Sequence, residues 1–122
     1  MSKLYKVSRL PEVTLVKGAK SRLVVGDRAM VSFLFMEPGM DFQLHRHESE
    51  QIMIVLEGTT RQKIEDREIT LRKGDVLVME SNLVHGGGPS KRSKGCRVID
   101  IFVPPRKDYL NLMEERENSR SG

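Results

Sequence analysis

The sequence predicts an all-β protein, a sandwich or a barrel, on three observations. Between Leu23 and Val103, short runs rich in Val, Ile, Phe and Thr are separated by Gly26-Asp27, Pro38-Gly39, Glu57-Gly58 and Lys73-Gly74-Asp75, a pattern of strands and tight turns. With 122 residues and no internal repeat, the chain has room for one domain with one core. Its longest uninterrupted apolar run, Ile52 to Leu56, is five residues, where a bilayer span needs about 20. No membrane span is expected.

Taken in order, strands are predicted near Arg22–Val25, Ala29–Met36, Phe42–His47, Gln51–Leu56, Thr60–Glu65, Glu68–Leu71, Val76–Met79, Leu83–His85 and Arg97–Val103. Ile52, Ile54 and Leu56 alternate with Met53 and Val55, so both faces of that strand are apolar and both call for cover. A second copy of the chain is the expected outer cover, making a homodimer. After Pro104-Pro105, the run from Asp108 to Arg116 reads as a short helix capped by Asp108. Residues 1–110 are thus expected to form the single domain, and 111–122 a tail that is partly helical and then frays.

The 21 Lys and Arg exceed the 17 Asp and Glu by four, and Lys91, Arg92, Lys94 and Arg97 fall together in an acid-free stretch that accounts for the excess. No aromatic residue is interleaved with them, which argues against nucleic-acid binding. A loop there would draw acidic substrates toward a barrel mouth, or simply be solvated. The basic start, Met1 to Lys6, leads to no apolar stretch of the kind a secretory signal carries. Cys96, alone, has no intrachain partner, in keeping with a cytoplasmic protein. Met30, Met36, Met40, Met53 and Met79 accompany strands and read as core fillers.

His45 and His47 are two apart on an extended segment, so their imidazoles project to one face, as two ligands of one metal must. Gln51 opens the next apolar strand on the face of Met53 and Val55, a polar amide in want of a partner. His85, 38 residues beyond His47 and followed by Gly86-Gly87-Gly88, is the remaining histidine of three. Three imidazoles and an amide oxygen suit a divalent first-row metal with positions left open for water or substrate. Glu48 or Glu50 is the alternative to Gln51. The plainer reading makes His45 and His47 surface residues of an edge strand and His85 a polar residue beside a glycine turn. In Val98–Val103, alternation puts Asp100 on the face of Val98 and Phe102. That carboxylate either lines a wet pocket as a general acid or base or pairs with a cation outside. Arg106 is a candidate clamp for a substrate carboxylate.

The stretch Gly39-x5-His45-x-His47-x3-Gln51-x6-Gly58 is similar to the first cupin motif, and Gly74-x10-His85 resembles the second. This resemblance implies a double-stranded β-helix, the cupin jelly-roll barrel, with a metal inside its mouth. The chain departs from the common pattern in having Gln51 where most cupins place a Glu ligand, Glu80 and Asn82 before the second-motif His, and Pro89 after the glycines. With Gln51 as ligand the protein donors are all neutral, which suits Lewis-acid work on anions better than stabilising oxidised iron. His-x-His-x3-Gln, together with Asp100-x-Phe102-x-Pro104-x-Arg106-x-Asp108-Tyr109-Leu110, looks like the KdgF-type cupins of pectin degradation. That resemblance implies a metal (Mn, Fe, Ni or Zn) on His45, His47, Gln51 and His85, with catalysis and substrate contact by Asp100, Phe102 and Arg106. It implies ring opening and ketonisation of a 4,5-unsaturated uronate, an anionic small molecule. Two other readings stand beside it: an oxygenase of a small phenol or diketone, and a non-catalytic cupin that binds a sugar or other small ligand.

Overall fold

The computed structural model describes residues 2–121. A short 3-10 turn, Val7–Arg9, precedes nine strands: β1 Val13–Val16, β2 Ala19–Val25, β3 Met30–Met36, β4 Phe42–His45, β5 Glu50–Ile64, β6 Arg67–Arg72, β7 Val76–Met79, β8 His85–Gly88 and β9 Cys96–Val103. One helix follows, α1 Lys107–Ser121. The strands form two antiparallel layers, β1-β2-β3-β9-β5-β7 and β6-β5-β8-β4, with β5 belonging to both. The result is the double-stranded β-helix that the motifs implied.

Membership of β5 in both layers corrects the sequence reading, which broke this stretch at Glu57-Gly58. The ladder with β9 slips between Val55 and Glu57, and Gly58 follows at φ +80°, a local bend of the kind a bulge produces. A Cβ on Gly58 would lie 2.3 Å from the Gly95 carbonyl oxygen, so only glycine lets the strand pass from one layer to the other. β1 was not foreseen, and β2 starts at Ala19, three residues before the predicted Arg22. Lys17-Gly18 turns the hairpin between them, Gly18 at φ +85°. β8 begins at His85 and runs through the three glycines, which are strand and not turn. They are needed because β4 lies close over them: Cβ atoms on Gly86 and Gly88 would come within 2.5 and 2.1 Å of the Phe42 and Met40 carbonyl oxygens.

Alternation sets the core. Met30, Leu34 and Met36 of β3, Met53 and Val55 of β5, and Cys96, Val98 and Phe102 of β9 point inward and are buried. Burial, with the Asp100 charge as a lesser cause, pushes the Cys96 thiol up to about 11 and so disfavours a thiolate there. The core also holds polar side chains: Ser21 and Ser32 share a hydrogen bond of 2.6 Å, and Gln51, Gln62 and Asp100 are 3–4% exposed. Buried polar groups of this kind need partners, and Gln51, Gln62 and Asp100 border a common cavity. On the opposite face of the larger layer, Ile52 and Ile54 are half-buried and Leu56 is exposed.

Helix α1 is longer than the segment predicted from Asp108 to Arg116, and Gly122 lies outside the described residues. Tyr109, Leu110, Leu112 and Met113 pack on the core, which explains why a polar helix holds its place. The expected cap is displaced: Arg106 accepts the first helical bond, from the Leu110 amide, and Asp108 sits inside the first turn. Among the described residues no helix is long and apolar enough to cross a membrane.

Candidate metal centre

His45 ends β4 and His85 begins β8, and the ladder pairs them directly across from one another, their ring centroids 4.5 Å apart. His47 lies beyond β4 in the bend to β5 and not in the predicted strand. It still swings to the same side, 5.5 and 4.9 Å from the rings of His45 and His85. One ring nitrogen from each of the three lies within 4.8 Å of the others. Gln51, the second residue of β5, completes the cluster. Glu48 and Glu50 are exposed, and alternation sends Glu50 to the face opposite Gln51, so neither joins it.

Hydrogen bonds fix how these groups present themselves. The Nδ1 atoms of His45, His47 and His85 lie 2.8, 2.9 and 2.8 Å from the carbonyl oxygens of Gln43, Ser49 and Leu83. A carbonyl only accepts, so each Nδ1 carries the proton and, in the neutral ring, each Nε2 is left with a bare lone pair. The Nε2 atoms of His47 and His85 both stand 3.1 Å from Gln51 Oε1. That oxygen faces inward because the amide Nε2 donates to Asp100 Oδ1 at 2.9 Å. Three acceptors thus point at one another with no proton among them, an arrangement that repels unless a cation lies between. Two donors on one ion at about 2.1 Å and at a right angle are about 3.0 Å apart. The donor set therefore fits a divalent metal, and the partners of Nδ1 and of the Gln51 amide are the outer contacts that orient such ligands.

Burial disfavours the charged form of His47 and His85. Burial lowers the pKa of His85 to about 4, aided by the neighbouring imidazoles and Arg106, and His47 is lowered by burial and then by the Arg106 charge. Asp100 is buried on β9, paired with Met53 of β5 and Ser32 of β3. Burial pushes its carboxyl up to about 7 against the opposing pull of the Gln51 hydrogen bond and of Arg106. Of the two placements the sequence left open, it occupies the pocket.

Arg106 is 9% exposed. Its Nε and Nη2 donate to both oxygens of Asp108 at 3.1 and 2.7 Å, and Nη1 donates to the Tyr109 hydroxyl at 2.9 Å. Three of the five N–H groups are thereby engaged and two remain for a ligand. Partial burial would raise the Asp108 carboxyl, but the hydrogen bonds and charge of Arg106 outweigh it and hold it low. The guanidinium also lies 3.8 Å from the Tyr109 ring centre and 5.2 Å from that of Phe102. Phe102, 1% exposed, stands edge-on to His47 and Tyr109 and forms a wall of the site.

With His47 outside it, His45, Gln51, His85, Asp100, Phe102, Arg106 and Tyr109 line one cavity that opens to solvent. Its enclosed part has room for roughly one water or ion. Outside, a wider groove runs past His45, His47 and Arg106 to Lys17, Arg46 and Leu112. Lys91 and Arg92 border a separate groove floored by Gly87 and Gly88 and do not line the cavity. Sequence reasoning assigned nothing to Tyr109 or Gln62. The inward alternation of Thr60, Gln62 and Ile64 was the available signal for Gln62.

The fold and this cluster define a small barrel with a candidate metal centre of neutral donors in its mouth. Residues 32–102, more than half of the chain, match the Cupin domain family, and the chain belongs to it. A search of curated proteins finds no match. Among solved structures, KdgF from Halomonas sp. superposes with a TM-score of 0.79 at 22% identity, covering 88% of this chain and 99% of that one. An RmlC-like cupin from Shewanella frigidimarina NCIMB 400 gives 0.79 at 20%, covering 89% and 96%. The polyketide cyclase RemF from Streptomyces resistomycificus gives 0.77 at 19%, covering 88% and 82%. At these identities the likeness is one of fold.

Proposed function

We propose that this cupin opens and ketonises a 4,5-unsaturated uronate. The observation that carries the reading is one site where a cluster of imidazole and carboxamide donors, a carboxyl raised to about 7 and a guanidinium with two N–H groups unengaged come together. A divalent ion on His45, His47, Gln51 and His85 would supply charge stabilisation for the substrate's oxygens. Arg106 takes the substrate carboxylate. Asp100 relays a proton: it takes one from the hydroxyl of the ring hemiacetal, the ring C–O bond breaks to leave an aldehyde and an enolate, and the same proton is returned to the enolate carbon as the ketone forms. Atoms balance as an isomerisation and no oxidant enters. A carboxyl with a pKa near the working pH is suited to both directions of transfer.

The test is the ultraviolet absorbance of the unsaturated acid, expected to decay faster with the metal-loaded protein than without it. Oxygen uptake with bound Fe(II) and a phenol or diketone, in place of that decay, would overturn the proposal. Asp108→Ala frees Arg106 from its orienting partner and is expected to raise KM about tenfold, the effect of losing hydrogen bonds to a charged group, with metal content unchanged. An unchanged KM would show that Arg106 needs no such support.

We also propose that the chain forms a homodimer through the outer face of the larger layer. There the ladders align two apolar rows, Val78, Ile52, Ile101 and Val31, and Val76, Ile54, Ile99 and Phe33, with Val76 and Val78 57% and 59% exposed. A contiguous charge-free block of this kind is uncommon on a monomer's surface, and two copies related by a two-fold axis would present it to each other. Ile54→Glu is expected to convert a dimer to a monomer in analytical ultracentrifugation while the barrel's circular dichroism persists. A native protein that sediments as a monomer would end this proposal.

A further inference from the structure

We infer that Gln62 is a specificity-determining residue that reads a substrate hydroxyl on the deep side of the candidate metal centre, an inference that rests on the uronate reading. Gln62 is 3% exposed, faces the barrel interior and lines the cavity together with His45, Gln51, His85, Asp100 and Arg106. Its amide nitrogen donates to the Thr60 hydroxyl, itself fully buried, at 3.1 Å. No protein donor reaches its carboxamide oxygen among the described residues, and that oxygen is not sealed off: the buried side-chain atom without a partner among those residues is Arg116 Nε, on α1 and away from this cavity. The oxygen therefore opens on the cavity.

Register fixes where Gln62 stands. β5 places Ile64 opposite His85 and Gln62 opposite Gly87. Gln62 is thus one inward step beyond His85, a diagonal neighbour about 7–8 Å away. An apolar residue would fill this position without leaving an acceptor unpaired. A carboxamide anchored at one end on Thr60 and open at the other is instead a reader of a ligand group. A hydroxyl is the group that fits, because it pairs with the amide in either orientation, whereas a carboxylate would face an acceptor.

The cavity is consequently polar at both ends in different senses. Arg106 borders both the cavity and the outer groove, while Gln62 borders the cavity alone. A ligand whose ring lies in the outer groove with its acid on Arg106 extends only a hydroxyl inward, a group of the size the enclosed cavity admits, which describes a hydroxylated cyclic acid and not a bare carboxylate. Sites that hydrogen-bond a hydroxyl reject analogues lacking it, because their own buried group is then left unpaired.

The experiment is calorimetric titration of the metal-loaded protein with a saturated uronate and with tetrahydropyran carboxylate, which keeps the ring and the acid but has no hydroxyl. The native protein is expected to bind the uronate at least about tenfold more tightly. In Gln62→Met the uronate should weaken about 3- to 10-fold and tetrahydropyran carboxylate should be unaffected, with metal content and melting temperature retained. Gln62→Asn, which withdraws the amide by one methylene, should show the same selective loss and serves if the Met variant fails to fold. Equal uronate binding by native protein and variants overturns the role of Gln62 and leaves the proposed function standing. So does an equal loss for both ligands, which marks a structural part only. Native protein that binds no uronate overturns both.

Discussion

Asp100→Asn is expected to slow turnover of an unsaturated uronate by about 10²–10⁴-fold, the contribution of a positioned proton relay, with little change in KM or metal content. The variant amide keeps an oxygen facing the Gln51 Nε2 that now donates to Asp100 at 2.9 Å, so the ligand's orientation survives while the proton carrier is gone. Turnover matching that of the native protein would remove Asp100 from the chemistry. The same substitution has a signature in stability. Burial raises the folded carboxyl from 3.8 to about 7, so its contribution is present below the unfolded value and is lost as pH rises toward 7. His85, lowered from 6.5 to about 4, acts in the opposite sense: its contribution is present above the unfolded value and is lost as pH falls through that window. In the metal-free native protein the two oppose one another between about pH 4 and 6.5. In Asp100→Asn the histidine is left unopposed, and the melting temperature should decline more steeply toward acid pH. A variant whose pH profile parallels the native one contradicts this account.

His85→Ala carries the second large effect. It removes a donor that stands 3.1 Å from Gln51 Oε1 and directly across the ladder from His45. Even groups that merely orient ligands cost 10- to 100-fold in metal affinity when mutated, so loss of a donor is expected to cost at least about 10²-fold. Elemental analysis after dialysis should find the metal depleted and turnover lost. Leu83→Ala, by contrast, keeps the backbone carbonyl that accepts from His85 Nδ1 and should retain the ion. Full metal content in His85→Ala would show that the three imidazoles do not share one ion.

Much of the centre was legible because strand geometry is local. Two residues of extended chain return a side chain to the same face, so Gln51 with Met53, and Asp100 with Phe102, were placed on their faces by counting alone, whereas His47 reaches the His45 side from the bend beyond β4. The motif spacing joined His85 to them. Other features resisted the same counting. The break at Gly58 looked like a turn between two strands, because glycine at positive φ serves both turns and bulges, and only pairing with both β9 and β6 shows one strand continuing. The three glycines of β8 looked like a turn for the same reason. β1 was missed because Val13–Val16 has no distinctive pattern of its own. It is a strand because β2 pairs with it and α1 packs against it.

The sequence by itself determined the all-β class and which side chains share a face, since composition and the two-residue repeat of an extended backbone act within a few residues. Tertiary structure alone decided that Asp100 meets Gln51, that Arg106 lines the same cavity as His85, and that Gln62 stands one step below His85. Those contacts depend on the register between strands distant in the chain and on where a helix docks. Closure of the barrel around its core sets both, and no short window of residues encodes them.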